Sequence, residues 1–226
     1  MKQEIIAYYD RLAPAYDASR FDNSYGRFID ARERALLGSW LQAKHARILE
    51  LGCGTGRLST FASIATDASM ASLAVARMRN PATNFAAADA EQLPFTSNSF
   101  DAVFAFHLLM HLESNSIRKI FAEAARVLRP GGLMIADIAS KTRRDLTGPR
   151  RNVQHIWHGA TALSKSAFED LGRTAGLKSE HMSGVLLLPV HRLPDGARTP
   201  LVRIDAWLAT RLPSLSSYLV ACFSKP

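Results

Sequence analysis

From residue 48 onward, short apolar runs alternate with stretches of helical character. Runs at 48–51, 64–67, 84–88, 102–106 and 133–138 are short enough, and apolar enough, to be strands buried on both faces. The alternation predicts an α/β fold, with a mostly parallel central sheet covered by helices on both faces. Upstream, residues 3–12 and 28–41 read as helices that precede the sheet. Downstream, Ser166-Ala167-Phe168-Glu169 has the pattern of a capping box, opening a helix that ends near Gly176. Runs at 185–189 and 218–223 add two more strands, which makes a seven-stranded sheet. The long connection between them carries Pro200 as a first-turn proline, Leu201, Ile204 and Leu208 at helical spacing, and Pro213 as a stop. An extra helix is therefore expected between the last two strands.

Composition narrows the class. The chain has 226 residues, 47% hydrophobic and 21% charged, with no internal repeat and no linker rich in Gly, Pro or Ser, so a single domain over 1–226 is expected. Its longest apolar runs are far short of the ~18 to 20 residues that cross a bilayer. Met1-Lys2-Gln3-Glu4 leads into acids and tyrosines instead of an apolar segment, so no secretory leader is expected. Two cysteines, Cys53 and Cys222, exclude a disulfide framework and suit the reducing cytoplasm. The net charge of +8 is uneven. Residues 1–140 hold 15 Lys and Arg against 14 Asp and Glu, while the last third holds 13 against 6. That excess suits either an anionic acceptor or a solvated basic face.

The segment Ile48-Leu49-Glu50-Leu51-Gly52-Cys53-Gly54-Thr55-Gly56 carries the chemistry. Glycines after a strand let the backbone turn sharply and approach a ligand closely. The dinucleotide pattern G-x-G-x-x-G fails, because the third glycine comes only two residues after the second. A phosphate-binding loop fails too, since no Gly-Lys-Ser/Thr follows. The remaining pattern, a strand acid followed by G-x-G-x-G, suits a cationic ligand without a phosphate.

Here the chain resembles the class I S-adenosylmethionine (SAM) dependent methyltransferases, most of all the small-molecule group that includes quinone-biosynthesis enzymes. Tyr9-Asp10-Arg11-Leu12-Ala13 with Tyr16-Asp17 is similar to the family's entry segment. Thr66-Asp67-Ala68-Ser69 resembles the second-strand acid motif, and Asp89-Ala90-Glu91-Gln92-Leu93-Pro94-Phe95 the third-strand motif. Ser99-Phe100-Asp101-Ala102-Val103 and Arg126-Val127-Leu128-Arg129-Pro130-Gly131-Gly132 match the fourth strand and the turn before the fifth. The resemblance covers residues 5–140. It implies a Rossmann-like fold with N-terminal lid helices (1–45), a SAM-binding core (46–140) and an acceptor-side part (141–226).

The resemblance also implies a SAM site lined by Tyr16, Glu50, Gly52, Cys53, Gly54, Gly56, Asp67, Ala68, Asp89, Ala90, Phe106 and His107. Glu50 would hold the loop, Asp67 would accept the ribose hydroxyls, and Asp89 would accept from the adenine amino group while the Ala90 backbone donates. Only ten residues separate Gly56 from Asp67, so the first crossover helix must be stunted.

Methyl transfer needs a base only when the acceptor arrives protonated. His107, directly after the fourth strand, and His111, one helical turn later, are candidates, with His155 and His158 as a second pair beyond the fifth strand. Their spacing makes no convincing metal site. The expected activity is transfer of a methyl group to O, N or C of a small-molecule acceptor, an anion where the basic excess recruits it, with release of S-adenosylhomocysteine (SAH). Alternatives are an RNA methyltransferase and a SAM-binding protein without turnover. The first lacks an RNA-binding module and a basic patch interleaved with aromatics, so nucleic acid is not an expected partner. Monomer and homodimer both fit the sequence.

Overall fold

The computed structural model describes residues 2–42, 46–148, 157–193 and 195–226. The chain opens with three helices, α1 (Lys2–Leu12), α2 (Tyr16–Arg20) and α3 (Ser24–Trp40). An alternating part follows: β1 (Ile48–Leu51), β2 (Ile64–Asp67), α4 (Met70–Arg79), β3 (Asn84–Ala87), β4 (Phe100–Ala105), α5 (Ser114–Val127) and β5 (Leu128–Ser140). The last third holds α6 (Lys141–Thr147), β6 (Ala162–Leu163), α7 (Lys165–Thr174), β7 (Lys178–Val185), α8 (Asp195–Arg211) and β8 (Tyr218–Ser224).

The strands lie in the order β3-β2-β1-β4-β5-β8-β7, and the two-residue β6 pairs the end of β5. The expected seven strands are this path; β6 is an eighth. Strands β1 to β5 run parallel, whereas β8 is antiparallel to both β5 and β7. Strand order reverses between β1 and β4, and the crevice beyond their carboxyl ends is where open α/β sheets bind ligands.

Both faces are covered, and β8 shows how. Side chains alternate along a strand. Phe223 meets Phe121 of α5 and Phe168 of α7, with ring centroids 5.7 Å away in each case. Gly172 of α7 lies so close that a Cβ there would stand 2.4 Å from the Phe223 ring. On the opposite face Tyr218 hydrogen-bonds Tyr25 of α3 through their hydroxyls at 3.0 Å. The α5 helix buries Ile117, Ile120, Phe121, Ala124 and Val127, a stripe at helical spacing.

Three local expectations are corrected. The strand expected at 185–189 ends at Val185, and its body is the more polar stretch before it. At the sheet edge β7 pairs only β8, so its first half stays exposed and lacks the apolar signature, while Leu186 turns the chain with a positive φ of 64°. The N-cap of α7 is Ser164, whose hydroxyl accepts from the Ala167 N–H, and not Ser166. Pro200 lies inside α8, because the helix begins five residues earlier, at Asp195. The first crossover is even shorter than expected: a single 3-10 turn, Ser59–Phe61, joins β1 to β2.

Candidate functional site

A cleft of about 1200 Å³, counted out to the open solvent, lies beyond the ends of β1, β2 and β4. Its floor is the loop after β1. Gly54 has a φ of +53°, and no atom lies within 4 Å of where a Cβ would be, so this backbone faces open space. Gly56 serves packing instead: a Cβ there would stand 2.7 Å from Asn80 Nδ2, whose amide donates to the Gly56 carbonyl at 2.7 Å. Gly56 is thus the one residue of the expected cofactor set that does not line the cleft; Tyr16, Glu50, Gly52, Cys53, Gly54, Asp67, Ala68, Asp89, Ala90, Phe106 and His107 all do.

The acids set the shape. Asp67 accepts from the Gly54 N–H at 2.7 Å and the Ser69 N–H at 2.8 Å, which ties the loop to the end of β2. Burial raises its pKa, against the pull of those donors. Glu50 is buried beneath the loop and accepts from Ser59 Oγ at 2.6 Å, while burial raises its pKa to about 8. Asp89 lies at the other end of the cleft, half-exposed and ion-paired with Lys2 of α1.

The first two helices close over the floor, and the entry-segment acids hold them there. Asp10 accepts from Ser69 Oγ at 2.6 Å and the Ala71 N–H at 3.2 Å, at the start of α4. Asp17 accepts from Thr55 Oγ1 at 3.0 Å and pairs with Arg79 at 2.9 Å. Tyr9 and Tyr16, with ring centroids 5.9 Å apart, form the lid's inner wall.

His107 lies at the cleft wall with a φ of +57°, uncommon for a non-glycine residue. Its N–H donates to Asp137 Oδ1 at 2.7 Å, which holds the backbone in this conformation. Its ring lies between two buried carboxylates: Nε2 is 2.7 Å from Glu33 Oε1 and Nδ1 is 3.6 Å from Asp137 Oδ2. The alignment makes these charge contacts more than directed hydrogen bonds. Burial alone would lower the ring's pKa, but Glu33 and Asp137 outweigh it and raise it to about 9. At neutral pH the ring therefore carries its proton, unlike the neutral base its position suggested. Glu33 also pairs with Arg57 at 2.5 Å, and Arg57 pairs with Asp30 at 2.8 Å. Glu33, His107 and Asp137 stand close enough together to share a metal ion, but imidazolium and Arg57 already balance the carboxylates.

His111 ends a 3-10 turn, Leu109–His111, instead of following one helical turn on. Its Nδ1 accepts from the Gly159 N–H at 2.9 Å, so in the neutral ring the proton sits on Nε2, which is 3.2 Å from Tyr9 Oη. Both nitrogens are engaged. The His158 ring packs at a tilt against His111, with centroids 4.8 Å apart, and beside Trp157 and Tyr8, and it does not line the cleft. His155 lies outside the described residues.

Sequence reasoning missed Glu33, Arg57 and Asp137. Asp137 carried a signal, an acid inside the apolar fifth-strand run; Glu33 and Arg57 carried none, because their partners are distant in sequence.

Comparison with known proteins finds methyltransferases. Residues 49–136 match the Methyltransferase domain family model. A demethylmenaquinone methyltransferase of Renibacterium salmoninarum is 36% identical over 157 residues, 66% of this chain and 63% of that protein. A malonyl-[acyl-carrier protein] O-methyltransferase of Enterobacter lignolyticus is 28% identical over 195 residues, 83% of this chain and 74% of that one. The chain thus spans under two thirds of the first of these relatives. Among solved structures, a SAM-dependent methyltransferase and possible histamine N-methyltransferase of Thermotoga maritima superposes with a TM-score of 0.73 at 20% identity, covering 96% of this chain and 98% of that one. The [4+2]-cyclase SpnF superposes with a TM-score of 0.70 at 20% identity, covering 99% and 96%. Residues 49–136 are thus similar to a methyltransferase domain, and the fold is that of solved SAM-dependent methyltransferases.

Proposed function

We propose that this protein transfers a methyl group from SAM to an O, N or C atom of a small-molecule acceptor and releases SAH. The observation that carries this reading is the open Gly54 backbone between Asp67 and Asp89 in one cleft. The residues fit SAM: Asp67 would accept from the ribose hydroxyls, Asp89 from the adenine amino group, and the Gly54 backbone would line the methionine moiety. SAM supplies an activated methyl group, so the protein's main task is to align the acceptor in line with it and exclude water. Tyr9, Tyr16 and the rest of the lid do the excluding. With the His107 ring protonated and both His111 nitrogens engaged, the described residues lining the cleft offer no free imidazole base. The acceptor's proton then leaves to water, or the acceptor arrives as an anion or a neutral amine.

No described helix is long and apolar enough to cross a membrane, and Cys53 and Cys222 are buried free thiols; we place the activity in the cytoplasm. The cyclase with the same fold shows that fold alone does not fix methyl transfer. The deciding experiment incubates the protein and labelled SAM with fractionated small-molecule extract and follows SAH and labelled product by mass. Acceptor-dependent SAH is expected, and Asp89→Ala should weaken SAM binding by ~1 to 3 kcal/mol. SAM binding without acceptor-dependent SAH in any fraction would refute the transferase reading.

A further inference from the structure

The second half of α8 has two unlike sides. At helical spacing Val202, Asp205 and Ala209 share one of them, and α8 packs on β7. Asp205 and Ala209 are fully buried, and Val202 packs against the main core. Asp205 Oδ1 accepts from the Leu187 and Leu188 N–H groups at 3.1 and 2.6 Å, which pins the helix to the end of β7. The approach is close: a Cβ on Gly184 of β7 would stand 3.1 Å from the Ala209 carbonyl oxygen.

The other side meets solvent. Arg203, Trp207 and Arg211 follow one another at i, i+4 and i+8, with Ile204 beside them and Leu212 just past the helix end. Trp207 is 55% exposed, and Ile204 and Leu212 are each 47% exposed. Single exposed apolar side chains are ordinary, but three within nine residues along one helix side make a patch that calls for an occupant. The Arg211 guanidinium lies over the Trp207 ring, 4.1 Å from its centroid, and a contact with the ring face leaves its N–H donors for a guest. Among the described side chains of α8 the one acid is Asp205, buried on the opposite side. The patch is therefore apolar and positive with no acid of its own helix beside it, and it belongs to the third of the chain that holds 13 Lys and Arg against 6 Asp and Glu.

Charge and apolarity together select the occupant. A second copy in a two-fold interface would bring Arg203 and Arg211 against their own counterparts, like charge on like. Nucleic acid would answer the arginines but leave Ile204 and Leu212 without a role. An anionic bilayer answers both, since an amphipathic helix can lie in the interface plane with Trp and aliphatic groups at headgroup depth and basic groups on the phosphates. We propose that this side of α8 docks the protein on the surface of an anionic lipid bilayer, with Ile204, Trp207 and Leu212 entering the headgroup layer and Arg203 and Arg211 meeting lipid phosphates. The helix lies on the membrane and does not cross it, and the proposal stands independently of the methyl-transfer reading.

The test is co-sedimentation of the full chain with vesicles of phosphatidylcholine alone and of phosphatidylcholine with about 30% phosphatidylglycerol, at about 100 mM salt. Wild type should bind the anionic vesicles at least about tenfold more strongly than the neutral ones. The double variant Ile204→Ser/Trp207→Ser should lose about tenfold in binding, and Arg203→Gln/Arg211→Gln should erase the preference for anionic lipid. These side chains face solvent, so unchanged circular dichroism and melting temperature are expected and certify the folds. Tryptophan emission should shift to the blue on the anionic vesicles in wild type and not in Trp207→Phe, which places the contact on α8. Equal binding to both vesicle types, no binding to either, or undiminished binding by Ile204→Ser/Trp207→Ser would overturn the proposal. A blue shift that survives in Trp207→Phe would overturn the assignment to α8. Light scattering that shows a dimer which Trp207→Ser splits would give the patch to a second copy of the chain and overturn the membrane reading.

Discussion

His107 concentrates the chemistry that a single residue can carry here. Its position beyond β4 marks it as a cleft residue, but its charge is decided by Glu33 and Asp137, which approach from α3 and β5. The folded pKa near 9 lies above the unfolded value of ~6.5, so the folded state holds one more proton between them. The stability this contributes is fully present below ~6.5 and is lost as pH rises through about 9. Thermal denaturation should therefore show the melting temperature falling between roughly pH 7 and pH 9.5, with the slope much flatter in His107→Gln. An unchanged slope in that variant would mean that His107 is neutral in the fold, and would restore it as a candidate base. The sequence made His107 legible as a site residue because the end of β4 is a local feature. Its protonation state was not legible, since Glu33 lies 74 positions upstream in the chain.

At the level of elements, the lid explains why the entry segment carries two Tyr-Asp pairs. The tyrosines face the cleft, and each aspartate fastens its helix to a different part of the cofactor core: Asp10 to the start of α4, and Asp17 to Thr55 and Arg79. Asp10→Ala should remove two acceptor bonds at a helix start, about 1 to 2 kcal/mol of local holding. Tryptic cleavage after Arg11 and Arg20 should then speed up roughly tenfold, while Asp10→Asn stays near wild type because one acceptor oxygen remains. Equal cleavage rates in wild type and Asp10→Ala would show that α1 is held by its apolar contacts alone. The parallel strands and the glycine loop were readable because their signals are local and strong: continuous apolar runs, and glycines at fixed spacing. The β7 edge and the start of α8 were not. An edge strand needs only one buried partner, so polar residues fill half of it, and Pro200 is tolerated one turn into a helix that its surroundings support.

Across the whole molecule, the positive charge is concentrated in residues 141–226, which hold 13 Lys and Arg against 6 Asp and Glu. Exposed charges act over distances that salt cuts off, with a screening length of ~10 Å at 0.1 M. If that basic surface recruits an anionic acceptor, raising ionic strength from about 50 mM to about 500 mM should increase KM for the acceptor identified by the extract screen about tenfold or more. SAM affinity should change far less, since Asp67 and the Gly54 backbone, which would hold SAM, lie inside the cleft. A KM that does not respond to salt would take those residues out of acceptor recognition.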